Sequence, residues 1–139
     1  MKKINLIPSK GLGQNFLVDK GALRTIIEAA DIKPDEVVLE IGPGTGILTL
    51  ELAKKAKRVI AVEKDAKMCE ILKETLKNFK NVEIIQADIR NLKLEIRNFK
   101  IIANIPYYLT SPIIRKFLEA ANPPEEMILM VQKEVAQRI

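Results

Sequence analysis

Histidine is absent from this chain of 139 residues, and cysteine occurs once, at Cys69. These two absences exclude disulfide scaffolds, cysteine–histidine zinc centres, histidine triads and histidine general bases. Long hydrophobic runs are missing too. The apolar stretches last only a few residues, too short to span a bilayer. The opening Met1-Lys2-Lys3-Ile4-Asn5 has no apolar run of signal-peptide length. Charge is mixed: 23 Lys and Arg stand against 18 Asp and Glu, for a net +5. That mild excess suits a polyanionic partner without requiring one. What is present is 47% hydrophobic and 29% charged residues, enough to bury a core and too little chain for two ordinary domains. The expectation is one cytoplasmic domain over 1–139. Its chemistry must come from carboxylates, amides, backbone and a bound cofactor, with no metal.

Two hydrophobic patterns alternate. Short β-branched runs occur at 37–41, 59–62, 82–85, 101–103 and 127–131. Continuous apolar runs of this kind suit strands buried on both faces of a parallel sheet. Between them the spacing turns helical. Met68, Ile71, Leu72, Thr75, Leu76 and Phe79 recur at three- and four-residue steps within 65–79, and Leu23, Ile26, Ile27 and Ala30 do so behind Asp19. Ser111-Pro112 reads as a helix start, and Asn122-Pro123-Pro124 as its end. The order predicts a doubly wound, mainly parallel sheet with right-handed crossovers. The last residues, 132–139, open a helix-like pattern without a cap, as a cut fragment would.

In such a sheet, ligands bind beyond the carboxyl ends of the strands, near the point where strand order reverses. The first predicted strand runs directly into Glu40-Ile41-Gly42-Pro43-Gly44-Thr45-Gly46. Its G-x-G-x-G spacing is not a dinucleotide fingerprint, because Ile47 stands where the third glycine would fall, and no P-loop Lys follows. Glu63 ends the next strand, seventeen positions past Gly46. A carboxylate there can accept both hydroxyls of a ribose. Asp88 follows the third strand and can accept from an exocyclic amine, while Ile89 offers an apolar face to a purine. Together these describe a nucleoside pocket without a phosphate clamp. S-adenosylmethionine fits that description.

The fourth strand leads into Asn104-Ile105-Pro106-Tyr107-Tyr108, at the place where substrate must meet cofactor. The lone pair of an exocyclic amine on a base is conjugated into the ring and nucleophilically poor. An Asn carbonyl and a backbone carbonyl aimed at its hydrogens draw the nitrogen towards tetrahedral geometry, and a stacked aromatic ring holds it in line with the methyl group. The amine loses its proton after attack, so no histidine is needed.

With those motifs in hand, the chain resembles the small-subunit ribosomal RNA adenine dimethyltransferases, the kasugamycin-resistance family. The matching segments are Gly13-Gln14-Asn15-Phe16-Leu17, the glycine loop 40–46, Val62-Glu63-Lys64-Asp65, Ala87-Asp88, the Asn104 motif and Met130–Ala136. The resemblance covers essentially the whole chain, in order. It implies a Rossmann-like class I S-adenosylmethionine-dependent methyltransferase fold, here truncated after the fifth of seven strands. It further implies that Gln14, Asn15 and Leu17 close over the cofactor, and that Gly42 and Gly44 admit its methionine part. Glu63 would take the ribose, and Asp88 and Ile89 the adenine. Asn104 would border the cofactor and, with the Pro106 carbonyl, hold the target N6, while Tyr107 stacks on the base. The family dimethylates N6 of two adjacent adenosines in the 3′-terminal hairpin of 16S rRNA, in the pre-mature small subunit, leaving S-adenosylhomocysteine.

A later aromatic motif and a C-terminal helical domain of the family fall beyond Ile139. The 139 residues alone are therefore expected to bind cofactor and to methylate poorly. Lys2, Lys3 and Lys10 suit either phosphate contact or a solvated tail, and Cys69 reads as packing. Two alternatives stand beside the main reading: a large-subunit rRNA adenine methyltransferase of the macrolide-resistance type, and a non-catalytic rRNA-binding assembly factor. Oligomeric state is not legible in the sequence.

Overall fold

Six strands and four helices are formed along residues 3–9 and 20–132, the residues described by the structure, a computed structural model. In chain order they are β1 (Lys3–Ser9), α1 (Lys20–Ala30), β2 (Val37–Ile41), α2 (Ile47–Lys55), β3 (Arg58–Glu63), α3 (Ala66–Thr75), β4 (Val82–Gln86), β5 (Phe99–Asn104), α4 (Tyr107–Leu118) and β6 (Glu126–Gln132). The sheet runs β1-β6-β5-β2-β3-β4 in space, and every neighbouring pair is parallel. The chain builds outward from β2 through β3 to β4, then returns to lay β5 against the other side of β2. The reversal therefore falls between β2 and β5, which places their carboxyl ends side by side at a switch point.

Apolar runs become strands here because both faces are covered. Leu39, Ile60 and Ile101 point to one face, where Ile113 and Phe117 of α4 pack on them. Val38, Val59 and Ile102 point to the other, under Ile26 of α1 and Leu48 and Leu52 of α2. Each such buried side chain stabilises the fold by roughly 1.5–3 kcal/mol. At the amino ends of the strands, the Lys100 ammonium is held by Glu36 at 3.0 Å, Glu126 at 3.7 Å and the Ala30 carbonyl at 3.1 Å. Among the described residues, no helix is long and apolar enough to cross a membrane.

Two expectations need correction. The sheet has six strands rather than five, because Lys3–Ser9 pairs with β6 in register from Lys3 opposite Glu126 to Ser9 opposite Gln132. The strand at 126–132 is consequently flanked on both sides, by β5 and β1. Helix α4 starts at Tyr107, with Pro106 at its N-cap, and carries Pro112 in its interior. Pro112 is exposed, as is Tyr108 one turn before it, and the proline supplies no N–H to that turn. Asp19 and residues 133–139 lie outside the described residues.

Candidate functional site

The glycine loop leaves β2 and turns at once. Gly42 has φ +72°, and its N–H donates to the Val62 carbonyl at 3.1 Å. A Cβ at this residue would stand 2.7 Å from the backbone oxygen of Asn104. Only glycine allows both the positive φ and this approach. At Gly44, φ +59°, a Cβ would meet nothing within 4 Å among the described residues. The space beside the loop's midpoint is open, as a ligand lying against backbone requires. Gly46 then caps α2.

A buried clamp brackets this loop. Glu40, 2% exposed, accepts a hydrogen bond from the Thr49 hydroxyl, joining the end of β2 to the first turn of α2. Burial raises the Glu40 carboxyl from its ordinary 4.5 to about 7, and the Thr49 bond only partly offsets this.

Glu63 ends β3 half-buried. Its Oε2 accepts the Asp65 N–H at 2.9 Å, which fixes the carboxylate at the sheet edge. Its backbone carbonyl accepts the Ala87 N–H at 3.0 Å and the Cys69 thiol at 3.5 Å. Cys69 is buried, and burial pushes its thiol above the usual value. Asp65 caps α3 through the Lys67 and Met68 amides.

After β4 the chain makes one helical turn over 88–92, with the Asn91 and Leu92 amides donating to the Asp88 carbonyl at 3.0 and 3.1 Å. The Asp88 carboxylate accepts the Arg90 N–H at 2.9 Å and the Arg90 guanidinium at 2.7 Å. These bonds hold the Asp88 carboxyl down at about 2. Ile89 is 5% exposed and belongs to the core with Ile113 and Phe117, so its side chain supports the turn from below.

Asn104 ends β5, half-buried, opposite Met130. Pro106 is exposed, and its carbonyl accepts the Leu109 N–H at 3.0 Å as α4 begins. Glycine loop, Glu63, Asp88 and Asn104 thus occupy successive strand ends on one edge of the sheet, and the Gly42–Asn104 contact joins the first to the last. Gln14, Asn15, Leu17, Lys2 and Lys10 lie outside the described residues, as do the side chains of Tyr107 and Lys3.

Three features escape the sequence: the Glu40–Thr49 clamp, the Arg90–Asp88 pair and Lys116, whose ammonium reaches the 88–92 turn. The i+2 spacing of Arg90 after Asp88 is a local signal. Lys116 gives none, because its partners lie 24 and 27 residues away.

A profile described as "Ribosomal RNA adenine dimethylase" matches residues 8–139. The chain belongs to the ribosomal RNA adenine dimethylase family. Within it, the chain is 47% identical to "Ribosomal RNA small subunit methyltransferase A" of Alkaliphilus metalliredigens, over 94% of this chain and 48% of that protein. It is 48% identical to the protein of that name in Dehalococcoides mccartyi strain BAV1, over 100% and 50%. The chain spans about half the length of the curated relatives it matches. Among solved structures, the dimethyladenosine transferase from Plasmodium falciparum shares 37% identity at a TM-score of 0.80, over 86% of this chain and 44% of that one. The 23S rRNA methyltransferase ErmE shares 37% at 0.77, over 88% and 50%. The dimethylase family's Rossmann-like class I methyltransferase fold is therefore the fold observed here.

Proposed function

We propose that this chain binds S-adenosylmethionine along the carboxyl edge of β2–β5 and serves in N6-dimethylation of two adjacent adenosines in the 3′-terminal hairpin of small-subunit rRNA. The observation that carries the reading is the contact of Gly42 with Asn104 at the switch point, which brings the glycine loop against the Asn-Ile-Pro-Tyr segment. The residues fit the cofactor: open space at Gly44, a fixed carboxylate at Glu63, and an ionised acceptor at Asp88. Bound there, it would supply an electrophilic methyl group.

The chain's own residues do the rest. Glu63 accepts the ribose hydroxyls and Asp88 the adenine amine. Asn104, together with the Pro106 carbonyl, which here accepts the Leu109 N–H at 3.0 Å and the Thr110 hydroxyl at 3.5 Å, accepts hydrogens of the target amine and orients its lone pair. Tyr107, by resemblance, stacks on the flipped base. Gln14, Asn15 and Leu17 close the cofactor side. The partner is small-subunit rRNA in the pre-mature subunit, and the setting is cytoplasmic.

The test supplies labelled cofactor and undermethylated small subunits to this chain and, in parallel, to the full-length Alkaliphilus relative, followed by mapping of the modified nucleotides. Dimethylation of the paired adenosines is expected, slower with this chain. Modification of large-subunit rRNA alone would favour the reading that the likeness to ErmE suggests. Binding of rRNA without any transfer would point to an assembly factor.

A further inference from the structure

We infer that Lys116 is a positioning residue for cofactor selection: from α4 its ammonium holds the Asp88–Leu92 turn in the place where Asp88 meets the adenine amine. This rests on the reading of Asp88 given above. The turn is a single one, and residues 92–97 that follow form no regular element, so its last carbonyls have no helical donors of their own. Lys116 Nζ supplies them, donating to the Ile89 carbonyl at 2.6 Å and the Leu92 carbonyl at 2.5 Å. A cation at this end also complements the turn's aligned dipoles.

The other end of the turn is fixed separately, by the Asp88 carboxylate accepting the Arg90 N–H at 2.9 Å. Side-chain packing holds the turn against the core, through Ile89 beside Ile113 and Phe117 and through the partly buried Ala87 and Leu92. The two carbonyl bonds add a directional hold along the sheet edge. The ammonium is partly desolvated where it makes them. Burial lowers the Lys116 pKa, while the Asp88 charge opposes the shift. Lys116 sits on the helix whose first residue, Tyr107, follows Asn104-Ile105-Pro106. One helix therefore links the adenine turn with the segment proposed to receive the target base.

A residue that only stabilised the fold would change melting and leave ligand choice intact. The experiment therefore measures selectivity: calorimetric affinities for S-adenosylhomocysteine and for S-inosylhomocysteine, in which the 6-amino donor becomes a 6-oxo acceptor and the adjacent N1 changes from acceptor to N–H donor. The wild-type chain should prefer the adenine ligand. Lys116→Met should shrink that preference about tenfold, and Lys116→Arg, which keeps charge and several donors, should restore most of it. If Lys116→Met does not fold, Lys116→Gln should give an intermediate preference. A wild-type preference in the Met or Gln variant overturns the role of Lys116. Asp88→Asn separates the two ideas: if it leaves the preference unchanged, or if the wild-type chain has none, the Asp88 reading fails and the inference with it.

Discussion

The backbone of Gly42 lies against the carbonyl of Asn104, so closely that a single added carbon would stand 2.7 Å from that oxygen. These residues are 62 positions apart in the chain, yet parallel pairing of β2 with β5, Ile41 opposite Ala103, makes them neighbours. The loop proposed to admit cofactor and the strand end proposed to receive substrate therefore share one wall. A methyl group passing between them need cross no other element.

Gly42→Ala should consequently cost more than Gly44→Ala. Both impose a left-handed φ on alanine, at roughly 1–2 kcal/mol, but only the first also forces β5 away. We expect Gly42→Ala to abolish measurable S-adenosylhomocysteine binding and to lower stability by about 2 kcal/mol or more, while Gly44→Ala loses about 1 kcal/mol. Urea unfolding and calorimetry on both variants decide it. Equal losses would mean that the Asn104 wall is not rigid.

The Glu40 carboxyl makes stability pH-dependent. Its pKa is raised in the fold, to about 7 from 4.5, so the folded chain keeps a proton that the unfolded chain has released. Below pH 4.5 both states are protonated, and above pH 7 both are ionised. Between those limits stability falls as pH rises, by up to about 3 kcal/mol in all. Glu40→Gln, which still accepts from Thr49, should remove this slope. Unfolding midpoints at about pH 5 and pH 8, on either side of the transition, that change equally in both proteins would remove Glu40 as the source.

Lys100 tests the separation of fold from site. Its side chain is 14% exposed, and without it the Glu36 and Glu126 carboxylates, 19% and 14% exposed, lose the cation they share. Lys100→Met should destabilise by about 3–5 kcal/mol. Lys100 lies four residues down β5 from Asn104, roughly 13 Å away, so cofactor affinity of the folded protein should hold. A parallel drop in affinity would show that the strand transmits the damage.

The fold is legible where burial writes itself into consecutive residues. Ile101, Ile102 and Ala103 announce a strand covered on both faces, and the glycine loop announces where β2 turns. The first strand is hidden because Lys3, Asn5 and Pro8 interrupt its apolar residues. An edge strand needs only one partner and tolerates a proline that donates nothing to its open side. The start of α4 is obscured because Ser111-Pro112 satisfies every local criterion of a helix start. Capping by Pro106 and the burial of Thr110 and Ile113 decide otherwise, and both depend on tertiary packing. In the site, Gly42, Glu63, Asp88 and Asn104 stand out because strand ends are countable. Lys116 does not, because a lysine that bonds two distant carbonyls looks in sequence like any surface lysine.

Asn104 carries the final prediction. If its side-chain carbonyl orients the target amine, its removal must act on the chemical step and spare the cofactor, for which the glycine loop, Glu63 and Asp88 are the proposed contacts. Asn104→Ala should slow methyl transfer by about a hundredfold or more at saturating RNA. The backbone oxygen that meets Gly42 remains in this variant, so the wall between the two motifs stays in place and S-adenosylhomocysteine affinity should change less than about threefold. Affinity is read in this chain. Rate is read in this chain or, if its transfer is too slow, in the full-length relative with the equivalent change. A near-normal rate with intact binding would take the amine away from Asn104 and leave the Pro106 carbonyl as its acceptor. A collapse of cofactor binding would instead make Asn104 part of the cofactor's wall.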